Sequence, residues 1–235
     1  MIDGIFKGGS LELPASPERA VQATAAWGDS LPNSILTVVA VLLVVAAIPM
    51  YLRLAPAISG CMFRRKANTD LEHSLSLARQ RNLCALFYVL PFCLIADRYR
   101  LFNPGIWSDI PELWSAPATI GVFIAYCLLR GLFFFMLHPP VYQEASDTIR
   151  HLPYNFFIRL TSVMLATTGI CCLLPVTDEL IRTILLWEIA VFFLLSFIRS
   201  GQFLAQHCSG LATFSYLCAL EILPAALLVT GALLF

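Results

Sequence analysis

The chain has 235 residues and no formal net charge; 59% of its residues are apolar and only 13% are charged. Soluble domains carry about 25% charged residues, so this is the composition of a chain solvated by lipid. It excludes a disordered chain, which would be polar, and a nucleic-acid binder, which needs surplus Lys and Arg against phosphates, so no nucleic-acid partner is expected.

A spanning helix needs about 20 mostly apolar residues, because inside hydrocarbon every backbone N–H and C=O must be satisfied within the segment. Residues 1–33 read as an extracytoplasmic segment. They lack the apolar run of a cleavable signal, and Ser16-Pro17 supplies an N-cap and first helical position for a short surface helix over Pro17 to Trp27. Residues 34–235 then read as one transmembrane domain. Its first span runs from about Ile35 to Leu54, followed by a basic loop over 56–82 that carries Arg64-Arg65-Lys66 and could touch anionic lipid. Within this loop Thr69-x-x-Glu72 has capping-box spacing, which predicts a helix from near Asp70 running straight into the second span, with Leu71, Leu75 and Ala78 as an apolar stripe.

The second span, Leu83 to Ala96, is short; reaching full length brings Asp97, Arg98 and Arg100 to the headgroup level, where long basic side chains snorkel. The third runs from Ala116 to Leu137 and is stopped by Pro139-Pro140. A polar loop from His138 to Asn155, with a short helix in it, precedes the fourth span, Phe156 to Leu174. The fifth, Ile184 to Ile198, lies between Arg182 and Arg199 and contains Glu188, and the sixth covers Leu211 to Phe235. The expected fold is all-α, an integral membrane bundle of six transmembrane helices. Ten of the 15 basic residues fall on the side of loop 56–82, which makes that side cytoplasmic and places both termini outside.

Ionisable groups inside hydrocarbon cost about 2.5 to 3.5 kcal/mol each on insertion scales and so require a partner, a wet cavity or a neutral form. Arg130, Glu188 and Glu221 are the three that stand out. Glu221 shares a helical stripe with Cys218, Ala225 and Ala232, which turns it into the bundle, and Pro224 removes a backbone donor and loosens the turn beside it. Arg130 lies about two turns inside the cytoplasmic boundary, a depth from which it can reach Glu221. A stapling ion pair, a snorkelling side chain and a grip on an anionic substrate or headgroup are all open to it. Glu188 calls for a neutral form or a hydrogen bond to Arg182 or a neighbouring helix. Arg159, Ser162, Ala166 and Gly169 form a small, polar face that is a candidate to pack against the Glu221 stripe.

At the cytoplasmic face stand Arg159, Arg199, His138 and His151. His151 with Glu144 or Asp147 could form an acid/base pair, and His138, His151 and His207 could meet a metal, but the spacing favours neither and a solvated loop is the expected reading. No metallopeptidase, serine-hydrolase or phosphate-loop motif occurs, and no cofactor is expected. The eight cysteines contain no Cys-x-x-Cys and read as packing residues.

The stretch Phe214-Ser215-Tyr216-Leu217-Cys218-Ala219-Leu220-Glu221-Ile222-Leu223-Pro224 resembles the carboxy-terminal signature of an uncharacterised family of polytopic inner-membrane proteins from Bacteroidota. The likeness covers roughly residues 75 to 235, and Leu-Glu-Ile-Leu-Pro is its most specific part. It implies a bacterial inner-membrane location, directs attention to Glu221 and Pro224, and implies no reaction. The leading expectation is a non-enzymatic membrane component that binds lipid, a partner membrane protein or a second copy of itself. The alternative is a small carrier or channel for an anionic or protonated solute that uses Glu221 and Arg130. An intramembrane lipid enzyme would need two or more of His138, His151, His207, Glu144 and Asp147 to converge.

Overall fold

A computed structural model describes residue 27 and residues 30–63, 71–102, 112–137, 143–174 and 176–234. These are helical throughout apart from short turns, with no strand among them: α1 (Leu31–Phe63), α2 (Leu75–Arg98), α3 (Glu112–Leu137), α4 (Gln143–Leu173), α5 (Asp178–His207), α6 (Gly210–Leu217), a π-helical turn (Cys218–Ile222) and α7 (Leu223–Leu234). Thr177 in extended conformation precedes α5, whose first turn carries Asp178 and Glu179 against the positive end of the helix dipole.

Among the described residues five helices are long and apolar enough to cross a membrane: Leu31–Met62, Trp114–Leu137, Thr148–Leu173, Asp178–Gln206 and Gly210–Gly231. The segment corresponding to the expected second span, α2, does not reach that apolarity. Its 24 residues would extend about 36 Å, so length is not what it lacks. Its place in the bundle accounts for its composition: α2 packs against α1, α3 and α4, and buries Arg81 and Tyr88 along with Cys84, Ala85, Cys93 and Leu94. A helix packed on three neighbours can carry polar groups on its covered faces, where those neighbours satisfy them.

The core follows the same centre. Ala47, Leu54 and Ile58 of α1 meet Cys84, Ala85 and Tyr88 of α2 and Ile158 of α4. Phe92 of α2, Phe123 of α3 and Phe157 of α4 form an aromatic triangle with centroid separations of 5.3 to 5.4 Å. Leu160, Met164 and Cys171 of α4 close on Ile181 and Leu185 of α5. Outward faces are as apolar as the interior: Leu42, Leu52, Leu128, Phe135, Trp187 and Leu194 are all exposed, as a surface that faces lipid requires.

Two expectations change. The helix expected from Asp70 does not run straight into α2: residues 71–73 are helical, the chain breaks at Ser74 (φ −92°, ψ 94°), and α2 starts afresh at Leu75. The break splits the supposed stripe, burying Leu71 and exposing Leu75. The loop expected from His138 to Asn155 is mostly helix, because α4 begins at Gln143 and carries Pro153 inside it. The surface helix expected over Pro17 to Trp27 lies outside the described residues except for Trp27 itself.

Candidate functional site

The last membrane-length helix changes pitch where Pro224 demands it. Proline has no N–H for the carbonyl four residues back, and its ring crowds that carbonyl. The chain widens instead: the Leu223 N–H reaches back five residues to the Cys218 carbonyl, and the Cys218 N–H is shared between the carbonyls of Phe214 and Ser215. Glu221 sits in this widened turn, and both it and Pro224 are buried.

Three helices converge there. Arg130 Nη2 of α3 donates to Glu221 Oε1 at 2.8 Å, and Ser200 Oγ of α5 donates to the same oxygen at 3.2 Å. The two ionic side chains keep only 17% and 7% of their exposure. Among the described residues Arg130 Nε is buried without a hydrogen-bond partner. Glu221 therefore faces inward, but its close partners come from α3 and α5. The face of α4 offered for that contact turns elsewhere: Arg159 Nη1 donates to the Tyr51 hydroxyl of α1 at 2.7 Å, and the Ser162 hydroxyl bonds within its own helix to the Ile158 carbonyl.

Glu188 is held by a neighbouring helix, accepting a hydrogen bond from the Thr167 hydroxyl of α4, while its Oε2 is buried with no partner among the described residues. Arg199 binds the end of α1. Its Nε donates to the Met62 carbonyl at 2.8 Å, Nη2 donates to the same oxygen, and Nη1 donates to Gln202 Oε1 at 3.0 Å. It thereby supplies donors to a carbonyl that the last turn of α1 leaves open. His138 lies outside the described residues, as do the side chains of Glu144, Asp147 and His207, so of the expected histidine set only His151 is placed.

Two constellations escape a reading by helical spacing. At the end where α2 and α4 begin, Glu72 pairs through Oε1 with Arg81 Nη1, with Arg81 Nη2 at 3.5 Å from Oε2, and His151 Nδ1 of α4 stands 3.5 Å from Oε1. Arg81 is fully buried, and its Nε and Nη2 also donate to Asn82 Oδ1 at 3.1 and 3.0 Å. Glu72 is thus committed to Arg81. Burial pushes its carboxyl up, but the imidazole of His151 and the guanidinium of Arg81 together outweigh this and hold it below its ordinary value of 4.5. At the other end, Asp97 accepts from Trp27 Nε1 at 2.8 Å, Ser115 Oγ at 3.0 Å and Thr119 Oγ1 at 3.0 Å, and the Arg98 guanidinium lies 5.4 Å from the Trp27 ring centre.

The two clusters shared one disguise. Arg81 and Asp97 lie at the margins of a short apolar run, where charge reads as interfacial, and nothing in a nine-residue gap marks Glu72 as the partner of Arg81. The detectable signal was the total: the segment expected as the second span carries too much charge at its margins for a helix surrounded by lipid. No family model, curated protein or solved structure matches this chain.

Proposed function

We propose that the chain is a six-crossing protein of a bacterial inner membrane, with both termini outside the cytoplasm, and that its work is to hold a lipid or a second membrane protein rather than to catalyse a reaction. The observation that carries this reading is the bond from Arg130 to Glu221, with Ser200 on the same oxygen. A guanidinium and a carboxylate that already neutralise each other across three helices act as a register device, a known use of buried polar groups. Three further charged side chains on these helices are held by neutral neighbours, Arg159 by Tyr51, Arg199 by the Met62 carbonyl and Glu188 by Thr167. Six crossings are supported by the packing of α2 on α1, α3 and α4, with Asp97 held by Trp27, Ser115 and Thr119 and Arg81 by Glu72, and the orientation by the excess of basic residues toward loop 56–82. The resemblance of the Leu-Glu-Ile-Leu-Pro stretch to inner-membrane proteins from Bacteroidota agrees with that location.

Epitope tags inserted in the full chain after Lys66, Gly105, Pro140 and Pro175, probed with antibody on intact spheroplasts, test the crossing pattern. The tags after Gly105 and Pro175 become accessible and those after Lys66 and Pro140 stay protected; a protected tag after Gly105 removes the second crossing. Gentle purification with mass spectrometry tests the role. Glu221→Gln loses assembly and whatever lipid or protein accompanies the wild type. Normal assembly with loss only of solute movement in reconstituted vesicles would favour the carrier reading, in which the widened turn at Glu221 borders a path.

A further inference from the structure

The bundle end where α2 and α4 begin carries an open cleft of about 470 Å³ whose lining changes character along its length. Among the described residues Arg79, Arg81 and His151 line it together with one carboxylate, Glu72, and Leu83 and Leu86 continue it along α2. Glu72 is engaged by the fully buried Arg81. Arg79 is exposed and, among the described residues, makes no ion pair, so the mouth keeps a surplus of positive charge. Arg79, Asn82, Leu83 and Leu86 share one exposed face at spacings of three, four and seven residues, so a cationic rim gives way to exposed leucine within about 10 Å.

We propose that this cleft seats one anionic phospholipid, its phosphodiester at Arg79 beside His151 and an acyl chain along Leu83 and Leu86. Charge complementarity selects the head and the apolar continuation selects the tail; a soluble phosphate would use only the first, a neutral lipid only the second. The proposal deepens the function above and rests on its reading that the start of α2 lies at the cytoplasmic leaflet, where anionic headgroups lie at the height of Arg79.

Native mass spectrometry of the full chain in mild detergent tests it, with phosphatidylglycerol, phosphatidylcholine of the same chains, and glycerol 3-phosphate as probes. The wild type retains phosphatidylglycerol in preference to both others. Arg79→Ala lowers its apparent affinity about tenfold, the loss of one charge-assisted contact, without moving the melting temperature. Arg79→Lys keeps part of the preference, and Arg182→Ala, at the opposite end of the bundle, keeps all of it. Equal retention of the two lipids, an Arg79→Ala protein that binds like the wild type, or glycerol 3-phosphate binding as well as the lipid would each overturn the proposal. Tags after Lys66 and Gly105 on opposite sides together with no lipid preference sink the site alone. Tags on one side with an Arg79-dependent preference retain the site and sink the crossing.

Discussion

Arg130 and Glu221 show how strongly the surroundings of a residue set its energetic weight. In water the pair would be worth at most about 1 kcal/mol, but where both side chains are largely withdrawn from solvent, removing one partner strands the other, at a cost of about 3 to 5 kcal/mol. Glu221→Gln therefore lowers the thermal unfolding midpoint in detergent markedly. The double variant Arg130→Met with Glu221→Leu, which removes both charges and keeps bulk, recovers most of that loss; a double variant as unstable as the single one would show that the pair is not a simple register device. Glu72 behaves differently, because it lies outside the spans. Its carboxyl is held below 4.5 in the folded chain, so its contribution is fully present above that value and is lost as pH falls through the lower folded value. The stability difference between wild type and Glu72→Gln, followed by thermal melts, is steady near neutrality and shrinks toward zero in acid. Both intramembrane charges were legible from residue order alone, since a charge among some 20 apolar neighbours breaks a rule. Glu72 with Arg81 was not, because the contact depends on the chain break at Ser74 rather than on helical period.

At the scale of elements, the π turn lets one helix serve two neighbours. Each residue advances an α-helix by about 100°, so the extra residue rotates the carboxy-terminal half of the helix relative to the amino-terminal half. Accordingly α6 packs on α5, whereas α7 packs on α3. Deleting Ala219 removes that offset, and either Glu221 leaves Arg130 or α7 leaves α3; the melting point drops at least as far as in Glu221→Gln. The α5–α6 contact is closer to neutral. A Cβ on Gly201 would lie 3.4 Å from Leu217 Cδ2, the flexible end of a side chain, so Gly201→Ala is accommodated and gains up to about 1 kcal/mol from helix propensity, measured by the same melts. Pro224 announced a loosened turn in the sequence. That the loosening takes the form of a π turn depends on where α3 and α5 stand, which no local pattern encodes.

Across the whole molecule, helix identity was readable and helix company was not. Long apolar runs announce themselves by composition, and five of them are the membrane-length helices of the structure. The central place of α2 was hidden by the same polarity that made it look short, since hydropathy records what solvates a helix on average and not which neighbours satisfy its charges. The partner of each face also depends on assembly: α4 turns Arg159 to Tyr51 of α1, a choice that small residues alone leave open. The cluster at Asp97 joins sequence-distant parts in the same way. Its indole donor, Trp27, packs with Leu36 and Leu90 against Ala40, Leu94 and Ala116, and its carbonyl accepts from Ser30 Oγ at 3.2 Å and Asn33 Nδ2 at 3.1 Å. Tension applied to the chain ahead of Trp27 would thus reach the starts of α1 and α3 and the end of α2 through one residue, giving the amino-terminal stretch a mechanical handle on the assembly.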